Sequence, residues 1–407
     1  MKILYIHQHF STISGASGTR SYANAKAMTE RGHSVTMLCG KYSSSDAGLS
    51  GKFQYGVREV NIDGFLVCQL DCHYSNHLGP VERCLIFFKF AIWSSFQALT
   101  KDYDVIYATS TPLTVGIPGV VAKVFRRKPF VFEVRDLWPQ LPIAMGVVRS
   151  QIFQFILYKL EKITYLSADK IICLAPGIKT GVCSSGISEK KVEMVPNGCD
   201  LELFSKPNTD LKPIARKDRF RCIYAGTLGA ANGLEAVIEV ASLLQSIGDD
   251  RFEFLLVGDG GQKQLLQEQV QKRGIEQIFF HPPMPKPELA ALFLQCDLGL
   301  QILKNVPEFY EGTSPNKFFD YVSAGLPVLI NYPGWVARLI KLHKLGVCAA
   351  PNDPKQFLTA LDQAYQSNLI KGRRERGTVS TAFQKKFSRR NLAFQCVEIV
   401  ESILPDS

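Results

Sequence analysis

The sequence predicts an α/β protein built from two Rossmann-like domains, each a doubly wound parallel sheet. Three observations carry this prediction. Short apolar runs alternate with longer helical patterns along all 407 residues. The alternation restarts near residue 221, after a polar segment at 207–213 that carries two prolines. A chain of this length also exceeds one ordinary core, which favours two domains of roughly 200 residues.

Taken in order, strands are expected at residues 3–7, 34–39, 105–108, 130–133, 171–174 and 192–195. Helices are expected at 20–31, 81–99, 114–125 and 153–167. In the second half, strands are expected at 221–226, 252–257, 278–281, 298–302, 327–330 and 346–349. A final helix at 387–404 follows a basic run at 371–376. Residues 1–206 then form the first domain and 207–386 the second, while 387–407 return to pack on the first. In such sheets the ligand sits beyond the carboxyl ends of the strands, here in a central cleft that both sheets face.

Composition narrows the function. A hydrophobic share of 46% with 21% charged residues is that of a folded globular protein, not a disordered one. The net charge of +10 favours anionic partners such as sugar nucleotides or anionic lipid. Nucleic acid is the weakest of these, because no recognition motif accompanies the charge. The 11 cysteines are scattered, and only Cys68 and Cys72 lie close together, with no second pair at zinc spacing. They read as buried free thiols in a reducing compartment, and no metal or cofactor is expected. The opening apolar run is too short for a signal peptide. The most hydrophobic segment, 84–99, is interrupted by Lys89 and too short to span a bilayer. A cytoplasmic protein is expected, with peripheral contact on the inner face of the membrane as one reading of 84–99. That segment is either a packing helix or a monotopic contact admitting a lipid-linked acceptor, assisted by Arg126, Arg127 and Lys128.

The densest chemistry lies in Ser314-Pro315-Asn316-Lys317-Phe318-Phe319-Asp320-Tyr321, followed by Ala324-Gly325. Ser314 suits a helix cap and Pro315 the first helical position. The first N–H groups and Lys317 then offer positive charge to a phosphate, and Asp320 can accept from sugar hydroxyls. Five further motifs follow strands. The loop from Gly15 through Gly18 to Arg20 opens a helix, and is either a ligand loop or a plain connection. Glu133, Arg135 and Asp136 stand at the end of a buried strand, where unpaired charge is costly and ligands bind. Asn197-Gly198 reads equally as a turn or a ligand contact. Gly226-Thr227-Leu228-Gly229, running on to Asn232, suits a diphosphate, while Gly258-Asp259-Gly260 reads as a turn near the base. His7, His9, Glu308 and Glu311 are weaker candidates.

Together these residues resemble the retaining GT-B glycosyltransferases of family four over essentially the whole chain. The nearest subgroup builds bacterial surface polysaccharides and includes L-fucosamine transferases of the O-antigen and capsule type. The resemblance implies that the second domain binds a sugar nucleotide and the first an acceptor. It implies catalytic roles for Arg135, Asp136 and Lys317. Donor contacts are implied at Gly15, Gly18, Asn197, Gly226, Thr227, Gly258, Glu311, Ser314, Pro315, Asn316 and Asp320. Asp320 matches the acid that holds the ribose. The family's other acid falls on Gly312, so Glu311 or Glu308 must substitute, and the usual Arg and Lys pair is missing around 227–233. The implied partners are a UDP- or GDP-sugar and a saccharide or polyprenyl-diphosphate-linked acceptor, with no metal. A sugar-nucleotide epimerase of the same fold, or an inactive sugar-nucleotide-binding scaffold, are the rival readings.

Overall fold

The computed structural model of the protein describes residues 1–15, 18–42, 49–75, 78–205, 219–371 and 381–403. The expected linker at 207–213, Ala16 and Ser17 of the first glycine loop, and the basic run beyond Lys371 lie outside these residues. In chain order the elements are β1 (Lys2–Ile6), α1 (Arg20–Glu30), β2 (Ser34–Tyr42), β3 (Val57–Ile62), β4 (Phe65–Tyr74), α2 (Pro80–Thr100), β5 (Val105–Thr109), α3 (Gly116–Arg126), β6 (Phe130–Val134), α4 (Gln140–Ala144), α5 (Gln151–Ser167), β7 (Lys170–Cys173), α6 (Pro176–Ser184) and β8 (Val192–Met194). They continue as α7 (Leu201–Ser205), β9 (Phe220–Ala225), α8 (Glu235–Ser246), β10 (Phe252–Val257), α9 (Lys263–Lys272), β11 (Ile278–His281), α10 (Lys286–Phe293), β12 (Leu298–Gln301), α11 (Glu308–Gly312), α12 (Asn316–Ser323), β13 (Val328–Ile330), α13 (Trp335–His343), β14 (Gly346–Cys348), α14 (Pro354–Lys371), α15 (Thr381–Lys386) and α16 (Arg389–Glu401).

The chain forms two compact units. The first comprises Met1–Asn197, Glu311–Ser314 and the residues from Arg389 onward; the second comprises Gly198–Tyr310 and Pro315–Ser388. The first unit's sheet has the order β3-β4-β2-β1-β5-β6-β7-β8. All neighbours run parallel except β3, which is antiparallel to β4. The hairpin of β3 and β4 is an addition to the expected strands. Its turn is Asp63-Gly64, with φ of 47° and 88°, the left-handed pair that matches strand twist in a two-residue hairpin.

The strand pleat sends alternate residues to opposite faces. Tyr5, Met37, Tyr107 and Val131 point to one face, where they share a core with Ala25 and Met28 of α1 and Leu392, Cys396 and Val397 of α16. Phe130 points to the other, where its ring fills the space a Cβ on Gly119 of α3 would need, 2.2 Å away. On that face α2 packs on α3 and α3 on α5. α5 starts where Ser150 Oγ accepts the Phe153 N–H (3.4 Å).

The second unit's sheet has the order β11-β10-β9-β12-β13-β14 and is wholly parallel. Cys222, Tyr224, Phe254 and Leu256 build its core with Val237, Ile238 and Ala241 of α8 and Leu361 of α14. Each sheet therefore has one place where successive connections leave in opposite directions: between β1 and β5 in the first unit, and between β9 and β12 in the second. Ligands of doubly wound sheets bind outside the strand ends at such switch points.

Candidate functional site

In the second unit, Lys317 stands at the carboxyl end of β9. Tyr321, one turn further along α12, pins the helix there: its hydroxyl accepts the Ala225 N–H (3.0 Å) and donates to Leu300 O of β12 (3.4 Å). α12 thus crosses the switch point. The Lys317 ammonium donates to Tyr224 Oη and Asn232 Oδ1, each at 3.0 Å, and lies 4.3 Å from the Tyr224 ring centroid. Tyr224 and the Asn232 amide both donate onward to Thr227 O, each at 2.8 Å. The loop after β9 is thereby laced to the lysine. A Cβ on Gly226 would stand 3.1 Å from Lys317 Cε, so glycine leaves the lysine room. Gly258 serves packing: a Cβ there would come 1.9 Å from Gly226 O.

All of these lysine partners are neutral, and among the described residues no carboxylate pairs with Lys317. Burial therefore pushes its pKa down to about 7. A partly buried ammonium with two of its three N–H groups on neutral oxygens is half of an ion pair. Its environment calls for an anion at the end of β9. Tyr224 and Asn232 lie in the motif read as a diphosphate loop, but sequence reading did not link either of them to Lys317. Their signal is position, since both lie in the strand-to-helix stretch already marked as a diphosphate loop.

The start of α12 differs from expectation. Pro315, not Ser314, occupies the cap position, and no side chain caps the helix. Ser314 belongs to the first unit, where its hydroxyl accepts the Asn197 N–H (3.0 Å) and its carbonyl accepts from Asn197 Nδ2 (2.5 Å). The hydroxyl goes there because a buried backbone donor must find a partner. The two motifs holding Asn197 and Ser314 are thus brought together, and the Asn197 Oδ1 remains buried without a partner.

Asp320 is also differently employed. Lys286 of α10 reaches both Asp320 Oδ1 (2.9 Å) and Asp200 Oδ2 (3.1 Å), and both Lys286 and Asp320 are buried. The carboxylate assigned to a ribose is therefore already ion-paired, and Lys286 is the residue sequence reading missed. Asn316 opens α12 beside it. Glu311 lies in the first unit with its backbone against Gly177, where a Cβ would come 2.6 Å from its carbonyl carbon. Glu308 is exposed in the second.

In the first unit, the charged strand end resolves into two parts. Glu133 is fully buried and pairs with Arg20 Nε (2.9 Å), not with Arg135. Tyr107 and Thr109 also donate to it (2.7 and 2.6 Å). Burial opposes its charge, but Arg20, Arg135 and the two hydroxyls outweigh that and hold its carboxyl below the usual range. Arg20 further donates to Val195 O (2.9 Å) and Pro196 O (2.6 Å). This network is structural.

The second part faces differently. Arg135 is partly buried; its N–H donates to Ser110 Oγ (3.0 Å) and its guanidinium to His7 Nε2 (3.1 Å). Burial, Arg135 and His9 drive the His7 pKa well below 6.5. His9, against Tyr74 and Phe87, falls to about 4 through burial and Arg135. Asp136 accepts no hydrogen bond from a described residue, and burial raises its carboxyl against the opposing pull of Arg135. Gln8, 1% exposed, keeps both amide atoms unpartnered, as does His7 its Nδ1. Beyond β1 there are thus a donor, acceptors and a carboxylate left to bind hydroxyls. Gly15 is tied back to Thr12 O (3.1 Å), and Gly18 immediately precedes the cap of α1. Among the described residues no three His, Cys, Asp or Glu side chains cluster to hold a metal.

Comparison with known families identifies both units. Residues 206–378 match the model described as glycosyl transferases group 1, and residues 15–198 match a glycosyl transferase 4-like domain. The chain belongs to the GT-B glycosyltransferases of group 1. The chain is 23% identical over 216 residues to a D-inositol 3-phosphate glycosyltransferase of Paenarthrobacter aurescens, covering 51% of each chain. It is 26% identical over 208 residues to the capsular polysaccharide biosynthesis glycosyltransferase CapM of Staphylococcus aureus, covering 47% of this chain and 51% of CapM. The matched region thus spans about half the length of these curated relatives. Among solved structures, the chain aligns over 99% of its length with all of Anabaena HepE, crystallised with UDP-glucose, at a TM-score of 0.67 and 16% identity. The likeness in structure is one of fold.

Proposed function

We propose that the glycosyltransferase moves a sugar, with retention of anomeric configuration, from a UDP- or GDP-linked donor to a saccharide acceptor carried on polyprenyl diphosphate. The setting we infer is bacterial cell-surface polysaccharide synthesis, of capsule or O-antigen, at the cytoplasmic face of the membrane. One observation carries the reading: Lys317, an ammonium with only neutral partners, at the β9 end of a doubly wound sheet. The UDP-glucose complex of HepE and the name of CapM support the donor class and the setting.

In this proposal the diphosphate lies over Gly226 and Thr227, against Lys317 and the uncapped start of α12 at Pro315 and Asn316. As the glycosidic bond breaks, negative charge grows on the leaving phosphate, and Lys317 stabilises that charge more than it stabilises the substrate. No metal is needed for this step. In the first unit, Asp136 accepts a hydrogen bond from an acceptor hydroxyl and Gln8 contacts a neighbouring one. Arg135 adds positive potential. The hydroxyl attacks the face the nucleotide leaves, and its proton passes to the departing phosphate. Asp320 acts on the nucleoside through α12, which its pair with Lys286 holds in place.

The test is a panel of UDP- and GDP-sugars with polyprenyl-diphosphate-linked mono- and disaccharides, read by mass spectrometry, with the new linkage assigned by NMR. A glycolipid with the donor's anomeric configuration is expected. An epimerised nucleotide sugar formed without acceptor sinks the proposal, as does donor binding with no turnover across the panel.

A further inference from the structure

Amphipathic helices usually bury their large apolar residues and expose polar ones. α2 does the reverse along much of its length. It turns Ala91, Ser94 and Ala98 inward with Phe90, and exposes Val81, Leu85, Phe88, Ile92, Phe96 and Leu99. Steps of four, three, four, four and three residues put those six on one stripe. Ile92 is 70% exposed. The two helices in line with α2 on the same face continue the pattern: Phe125 at the end of α3 is 73% exposed, and Ile152, Phe155, Ile163 and Leu166 of α5 are exposed too. Single exposed apolar side chains need no explanation, but a continuous field over three adjacent helices marks a contact surface.

Charge says what the contact is. Residues 80–100, 116–128 and 149–167 hold nine Lys or Arg and two Glu. One of these acids, Glu82, accepts the Gly79 N–H (2.9 Å), and the other, Glu161, is buried. A cation sits among the exposed rings: Lys159 lies 5.2 Å from the Phe155 centroid. Apolar stripes rimmed by basic residues fit acyl chains beneath anionic headgroups. Lys123 is paired with Asp169 (2.6 Å), and a second copy would bring the remaining excess of cations against its like, which disfavours self-association. No described helix is long and apolar enough to cross a membrane, so contact of these helices is with its surface.

We propose that the α2–α3–α5 face of the first unit docks on an anionic lipid bilayer, with the six-residue stripe of α2 entering the acyl boundary. The inference deepens the proposed use of a polyprenyl-linked acceptor and rests on that reading for its purpose. Docking would hold the first unit where such an acceptor emerges from the bilayer.

The test is flotation of the full chain with vesicles of phosphatidylcholine alone and with about 30% phosphatidylglycerol. Wild type is expected to float with the anionic vesicles, weakly with the neutral ones, and less at high salt. Leu85→Ser/Phe88→Ser/Ile92→Ser, which alters only exposed positions, is expected to lower the partition coefficient about tenfold or more. Arg127→Glu/Lys162→Glu is expected to lose the preference for phosphatidylglycerol. Circular dichroism and donor affinity, both expected to be unchanged, verify the fold. Equal flotation of the triple variant and wild type overturns the proposal, as does no flotation of wild type. So does a wild-type dimer, seen by sedimentation, that the triple variant dissolves. Turnover with a short-chain, detergent-free acceptor separates these results from failure of the transferase reading, because it needs no bilayer.

Discussion

Lys317→Met removes the ammonium while keeping most of the side-chain volume. The lysine has three N–H donors, and two are occupied by Tyr224 and Asn232. The third can make one charge-assisted hydrogen bond to a donor diphosphate. Such bonds are worth about 1.5–3 kcal/mol, so the dissociation constant of UDP or GDP should rise roughly 10- to 150-fold. The pH dependence is a separate signature. With a pKa of about 7 in the free protein, Lys317 is charged below that value and increasingly neutral above it. A bound diphosphate stabilises the charged form, so affinity should be full below about pH 7 and weaken by up to tenfold per pH unit above it. Titration calorimetry from pH 6 to 9, in two buffers of different ionisation heat, reads both affinity and proton uptake. Wild type should take up a proton on binding at pH 8, and the variant should not. Because the methionine carries no charge to desolvate, the thermal midpoint should hold or rise. An affinity change under threefold, with proton uptake intact in the variant, would refute the assignment of Lys317 to the phosphate.

Arg20→Met strands a buried Glu133 carboxylate and should cost about 3–5 kcal/mol in urea unfolding, with much of the loss recovered in Arg20→Met/Glu133→Gln. The folded Glu133 pKa is depressed, so its contribution is full above the unfolded value of 4.5 and lost as pH falls through the lower folded value. Lys286→Met leaves Asp200 and Asp320 without their shared cation and should destabilise the second unit by about 3–5 kcal/mol at pH 7. Asp136→Asn should lower kcat/KM for the acceptor by about 10- to 150-fold, the worth of one hydrogen bond to a charged group, with donor affinity unchanged. Wild-type turnover should fall as pH drops through the raised Asp136 pKa, and the variant's acid limb should be missing.

The second unit was the more legible. Most of its strands are buried on both faces, so they appear as short apolar runs such as Val328–Ile330, and the residues at their ends followed. The β3–β4 hairpin escaped although Asp63-Gly64 announced it, because its pattern is mixed: β3 alternates only partly buried and exposed residues, whereas β4 is largely buried. Site chemistry was visible one residue at a time and illegible in pairs. Glu133 drew attention as a charged residue on a buried strand, yet its counter-ion lies 113 positions away, and Arg135, two positions on, was the natural guess. Asn197 and Ser314 were both singled out, but nothing local couples residues 117 apart. α2 shows a different limit. With apolar residues on every side, periodicity cannot say which face turns inward; here the small ones do, and that depends on how closely α3 must approach.

α16 places a condition on how this chain is made. Leu392, Ala393, Cys396, Val397 and Val400 line the same core as β1 and α1, so the first 197 residues lack one wall until residues some 200 positions later have been synthesised. At about 5–20 residues per second that wait is on the order of ten to forty seconds. Through it Ala25, Met28 and Tyr107 stand uncovered, and the buried Arg20–Glu133 pair sits nearer to water than in the finished protein. The nascent first unit thus closes only once α16 has been made and has docked on β1 and α1.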